Sequence, residues 1–415
     1  MLRTSLIGLL LGASLWTSSA SAAKQNPPVI EITYQRALAL AREQAPALAI
    51  AEARVGEAES RVDAASVRSF NPQIRATAGP RLSQGDTTLD WSIGVQQWVE
   101  LGGQRGDRIN AARANTQASQ ARNEDAQRLV LRDVSLAFVA VLYWGRRVEI
   151  AEHNQGIAEA IEAATQRRHE LGDVGGYEES VASLFVVRAR TNVDRARAAL
   201  DQAEGGLKAL LGIEAGTDLV ARGDLRQLGM PASEMPGSSA PINIDDRPDL
   251  QALDADIRAA QAERDLGRAG RVPNLALGVR YARERSADII LGSLALTLPV
   301  FDRGQGTVAI ADARHERTSA ELRAARSTAT IEVDTAKATA QRLSEAARRF
   351  EDDGLEILER AEQLTTASYE AGAIPLGELL AVRRELVQAE LDYAALLHEA
   401  AAARIQLTAS TGAFQ

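Results

Sequence analysis

Residues 305–369 read QGTVAIADARHERTSAELRAARSTATIEVDTAKATAQRLSEAARRFEDDGLEILERAEQLTTASY, a run with no proline and one apolar rhythm. The reading is a single very long helix, because a stretch of this length without a breaker keeps helical periodicity throughout. Leu343, Phe350, Ile357 and Leu364 fall seven apart, and Ala347, Gly354, Ala361 and Ser368 stand four further on. A strict seven-residue repeat of large then small residues implies a seam packed against other long helices, since seven does not divide evenly into helical turns. At 1.5 Å per residue such a helix is about 100 Å long, several times the width of an ordinary domain core.

A second stretch has the same length and phase: Leu129, Leu136, Tyr143, Ile150 and Ile157 are also spaced by seven. Tyr143, Ile150 and Ile157 precede Leu343, Phe350 and Ile357 by 200, as Glu170 and Gly172 precede Glu370 and Gly372. Pro72 precedes Pro273 by 201, and Pro46 precedes Pro248 by 202. Landmarks that hold one offset to within two residues across a whole repeat read as an internal duplication.

Residues 1–22 have the form of a secretory signal: Arg3, the apolar run Leu6 to Trp16, then Ala20-Ser21-Ala22 as a small-residue cleavage pattern. No other stretch approaches a transmembrane helix. Cysteine is absent, which removes disulfides, thiolate metal sites and cysteine nucleophiles together. With 47 Lys+Arg against 56 Asp+Glu the chain carries a net charge of -9, which argues against nucleic acid as a partner. Only 4% of the 415 residues are aromatic, which favours close-packed helices over one thick core.

Repeat 1 is read over 23–212: a helix, a β-hairpin at 72–101, the long helix 104–171 and a short helix 177–211. A linker at 213–246 is rich in proline, glycine and serine. Repeat 2, 247–415, has a helix, a hairpin at 273–300, the long helix 305–371 and a short helix 376–407. In the hairpins Trp91, Ile93, Val95 and Val99 alternate with Ser92, Gly94 and Gln96, and Leu275, Leu277, Val279 and Tyr281 share a face. Each arm has about the ten residues a tilted strand needs to cross a bilayer. Taken singly, such hairpins also fit a soluble core. Beside helices of this length, in an exported chain with so few aromatics, they read as membrane strands. Four strands cannot close a barrel, so copies must join, and three copies would supply about twelve strands.

No catalytic constellation is present, and no enzyme is expected. His153, His169, His315 and His398 are isolated within helical sequence with no partner at metal-ligand spacing. The acidic run Glu351-Asp352-Asp353 with Glu356 reads as a solvated helix face. No cofactor and no bound metal are expected.

Tyr369-Glu370-Ala371-Gly372 followed by Leu379-Leu380, with the corner Glu100-Leu101-Gly102-Gly103-Gln104-Arg105, resembles the TolC family of outer-membrane efflux channels, the corner being similar to its heavy-metal, CzcC-like branch. The resemblance covers nearly all of the chain after the leader. It implies a mainly α fold with a β-barrel part: an internally duplicated long-helix α-barrel plus four transmembrane strands per chain, closed in a homotrimer as a twelve-stranded barrel in outer-membrane lipid. It further implies a periplasmic extension, a periplasmic adaptor protein and an RND-type inner-membrane pump as partners, and passive export of metal cations or small toxic compounds. By the same resemblance Tyr369 holds the closed state of a channel gate and Glu378 is its constricting acid, a ring that would attract cations. Helix-end packing and a solvated carboxylate read equally well there. Gly172 and Gly372 match positions that contact the adaptor, and plain turn glycines have the same pattern. Ile374 and Ala381 stand where the family carries a basic and a second acidic gate residue. The rival class is a periplasmic coiled-coil adaptor or scaffold, which needs no lipid-facing strands.

Overall fold

The computed structural model describes residues 29–83, 86–230, 243–285, 287–412 and 414. The leader assigned to 1–22 and the middle of the linker, 231–242, lie outside the described residues.

The chain opens with β1 (Val29–Thr33) and α1 (Tyr34–Gln44), capped by the Thr33 hydroxyl. Then α2 (Pro46–Ser66) begins at Pro46, where a missing N–H costs nothing. A hairpin follows, β2 (Gln73–Ser83) and β3 (Asp86–Glu100), and after it α3 (Gln104–Glu170). The chain returns through α4 (Gly176–Leu211). The linker region is more ordered than its composition suggests. It holds β4 (Asp218–Arg222), paired in parallel with β1, and the short α5 (Leu225–Gly229). The second half runs α6 (Pro248–Ala269), β5 (Asn274–Glu284), β6 (Ala287–Thr297), α7 (Gln305–Arg349), α8 (Leu355–Glu370) and α9 (Leu376–Ser410).

The expected single helix over 305–371 is interrupted once. Phe350–Gly354 form a π turn between α7 and α8. The Phe350 ring stacks on Tyr393 of α9 at 5.1 Å and 11°, and it lies so close to Gly354 that a Cβ there would stand 3.2 Å from it. The extra residue in the turn lets that ring reach α9 without breaking the helix path.

The helices stand side by side. One flank of α3 meets α2 and α4, the other meets α6 and α9, and these in turn pack on α7 and α8. Alanine supplies much of the contact: Ala111, Ala118, Ala158, Ala182, Ala189, Ala259, Ala260 and Ala347 are all buried. Midway along the bundle lies the largest apolar cluster, where Ile32, Leu38, Leu131, Val134, Phe138, Leu207, Leu211 and Leu219 tie β1, α1 and β4 to α3 and α4. There the last turn of α9 is held by two buried arginines: Arg128 donates to the Ala409 carbonyl and Arg247 to that of Ser410, each 3.1 Å away. Arg247 also pairs with Asp249 and Glu332. Burial works to raise the Asp249 carboxyl, but the Arg247 guanidinium outweighs it and holds the group below its ordinary value.

The four long strands form one sheet in the order β2-β3-β5-β6, every pair antiparallel. Cross-strand partners share a face, so the register sorts the side chains. One face carries Ile74, Trp91, Ile93, Val95, Leu275, Leu277, Val279, Leu294 and Leu296. The other is more polar and carries Arg75, Thr77, Arg81, Ser92, Gly94, Gln96, Arg280 and Ser293, with Trp98, Ile289 and Leu291 as its large apolar members. Strands of this length rise about 3.3 Å per residue and span roughly 25 Å when tilted. Both outer strands, β2 and β6, are unpaired along one edge within the chain. Among the described residues no helix is long and apolar enough to cross a membrane.

Candidate functional site

The two hairpins of long helices end in the same turn. At the first, Gly172 has φ 81°, its N–H donates to the His169 carbonyl at 2.9 Å, and the Asp173 N–H reaches the Arg168 carbonyl at 2.9 Å. At the second, Gly372 has φ 73°, and the corresponding bonds run to Tyr369 at 3.0 Å and from Ala373 to Ser368 at 2.8 Å. A left-handed residue closed by this pair of bonds satisfies the last carbonyls of a helix, and glycine adopts it without strain. Beyond the glycines the tips differ. Leu171 and Tyr177 stand exposed at the first, while Leu376 and Leu379 of the second are buried against Ile161 and Ala182.

Tyr369 joins that apolar cluster, beside Ile157, Phe185, Ile374 and Leu380. The Arg168 guanidinium lies over its ring at 5.9 Å, a contact from α3 to α8. Its hydroxyl is buried and accepts or donates no hydrogen bond among the described residues. Glu378 points to solvent from the first turn of α9, where the helix dipole favours a carboxylate, and its N–H donates to the Pro375 carbonyl at 3.1 Å. Tyr369 and Glu378 therefore lie at one end of the bundle with both turn glycines, one packed and the other free.

Above the tip, an ion pair absent from the sequence reading ties α8 to α9. Arg383, 6% exposed, donates to Glu362 at 2.5 Å, and His153 of α3 approaches the same carboxylate at 3.8 Å. Removing Glu362 would leave the buried Arg383 guanidinium without its carboxylate partner. The signal was present: Leu376, Leu379 and Arg383 follow one helical stripe, with arginine where an apolar residue is due. On the opposite flank of α3, Glu159 accepts from Gln155 and from Arg190 of α4, and these bonds hold its carboxyl below the ordinary range. Among the described residues no group of three or more His, Asp or Glu is placed to hold a metal ion.

The family model for outer membrane efflux proteins matches residues 37–213 and 243–413, both halves of the chain. The cobalt-zinc-cadmium resistance protein CzcC of Cupriavidus metallidurans is 27% identical over 331 residues, covering 79% of this chain and 77% of its own. The pyoverdine export outer membrane protein OpmQ of Pseudomonas putida is 27% identical over 389 residues, 86% and 81% of the two chains. Among solved structures, CusC superposes with a TM-score of 0.76 at 19% identity, over 91% of this chain and 92% of that one. The open state of the Neisseria gonorrhoeae MtrE outer membrane channel superposes with 0.73 at 18% identity, over 91% and 88%. A bundle of two long-helix hairpins with a four-stranded sheet of one apolar and one polar face, matched by that family model over both halves, means that the chain belongs to the outer membrane efflux protein family: it is the outer-membrane channel of a tripartite efflux system, a conduit with a periplasmic extension rather than an enzyme.

Proposed function

We propose that three copies join edge to edge into a twelve-stranded barrel continued by a helical tunnel, and that this pipe passively exports metal cations or small toxic compounds delivered by an RND-type pump and a periplasmic adaptor. The observation that carries the assembly is where the chain leaves apolar surface. Every large apolar side chain exposed on a described helix belongs to α2, α4, α7 or α8, the two flanks of the bundle, and none to the inner helices α3, α6 and α9. Ile357 and Leu364, two of the four large members of the heptad seam, are 68% and 61% exposed, and Leu184 and Val187 on α4 are 58% and 57% exposed. Covering a side chain of this kind contributes about 1.5–3 kcal/mol. The sheet is open at its two outer edges in the same way, and backbone groups in lipid must be paired. A neighbouring copy offers the complementary flank to both.

Within that assembly the duplicated halves, 23–212 and 247–415 joined through 213–246, each contribute a hairpin and a long helix. Tyr369 and Glu378 form the gate at the periplasmic end, and the turns at Gly172 and Gly372 receive the adaptor. The names of the metal-resistance relatives support metal ions as cargo. Replacing Ile357 and Leu364 with aspartate tests the assembly. The wild-type protein should run as a heat-modifiable trimer from the outer membrane, and the double variant as a monomer. A trimer that survives both substitutions would refute the interface.

A further inference from the structure

The polar face of the sheet holds a charge arrangement that the export reading does not use. Arg75 of β2 is opposite Gly94 of β3, and Gly94 is opposite Arg280 of β5, so the two arginines flank a glycine in one row on the same face. The stem of Arg280 lies beside that gap, its Cβ and Cγ 3.1 and 3.3 Å from where a Gly94 Cβ would stand. Strand spacing puts the two backbones about 10 Å apart, within reach of each other's field.

Neither arginine makes an ion pair or hydrogen bond with another described residue. Among the described carboxylates of that face, Arg81 takes both Asp90, at 2.5 Å, and Glu284, at 2.6 Å, and Arg108 takes Glu100 at 2.5 Å. A neighbouring copy supplies none either. The strand that would meet β2 is β6, whose residues on this face are Ala287, Ile289, Leu291, Ser293, Ala295 and Thr297. Because lipid is met by the apolar face, the arginines point into the barrel. Thr77, Gly79, Ser92, Gly94, Gly278 and Ser293 around them are small, Leu291 is the cross-strand partner of Arg280, and both arginines are exposed.

We infer that Arg75 and Arg280 form an anion-attracting girdle in the barrel, so that cargo crosses this section as a small polycarboxylate anion, free or wrapped around a metal ion, rather than as a bare cation. The inference rests on the trimeric barrel reading. Rings of arginine select anions as rings of carboxylates select cations, and the girdle is opposite in sign to a Glu378 ring at the other end of the pipe.

The test is planar-bilayer recording of the purified trimer in a potassium chloride gradient. R75Q/R280Q should lower the chloride-to-potassium permeability ratio severalfold, R75K/R280K should leave it as in the wild type, and the difference should shrink as salt rises. Citrate added on the side of the strand turns should block the wild-type current and not that of R75Q/R280Q. Should R75Q/R280Q not assemble, R280Q alone and citrate block of the wild type carry the test. A ratio and a citrate response unchanged by the glutamines would overturn the girdle while leaving the channel intact. A trimer that passes no current would overturn the conduit reading and the girdle with it.

Discussion

Glu378 is exposed in the first turn of α9 and has no ion-pair partner among the described residues, so its charge is available to whatever passes the tip. Replacing it with alanine should lower the preference of the channel for cations in bilayer recordings, and an unchanged preference would remove it from the gate. The two glycines were legible in the sequence as turns after long helices, whereas Tyr369 and Glu378 were pointed to only by the family resemblance. What each residue touches was not. Tyr369 lies under Arg168 of another helix, and Glu362 is gripped by Arg383, contacts set by how the helices align and not by spacing along one of them. The arginine row of the sheet was hidden for the same reason: Arg75 and Arg280 become neighbours only once the strand register places Gly94 between them.

At the scale of elements, α9 carries a titrating group that the bundle keeps neutral. The His398 ring lies against Tyr143 of α3, centroids 4.7 Å apart and planes tilted by 32°, and burial pushes its imidazole below the ordinary value, with Glu399 opposing weakly. An unfolded chain takes up this proton near pH 6.5, and the folded chain resists it to lower pH. The α3–α9 contact is therefore most stable above about pH 6.5 and weakens as pH falls from there toward the folded value. His398→Phe keeps a ring on Tyr143 without the proton, and should shrink the loss of melting temperature between about pH 7.5 and about pH 5.5. An equal loss in both proteins would assign the acid sensitivity elsewhere. Helices and long strands were legible because each repeats one pattern over many residues. The β1 and β4 pair was not, being two short strands that mean nothing until they meet. The π turn at Phe350–Gly354 escaped because the seven-residue spacing of Phe350 and Ile357 continues straight through it.

For the whole molecule, offsets and composition point to duplication and slenderness and strand number points to three copies, while the exposed apolar flanks and open strand edges that a neighbouring copy would cover are visible only in the folded chain. A strain lacking the protein should lose tolerance to zinc, cobalt or cadmium if metal is the cargo, and to organic drugs if small toxic compounds are. Tolerance unchanged to all of them would point to a different cargo. The strand hairpins close with only two residues between β2 and β3 and two between β5 and β6, at the end of the sheet away from the helices. If the sheet is closed into the proposed barrel, a surface-labelling reagent approaching the intact cell would meet, among the described residues, only the far ends of β2, β3, β5 and β6, and the long helices would stay within the envelope.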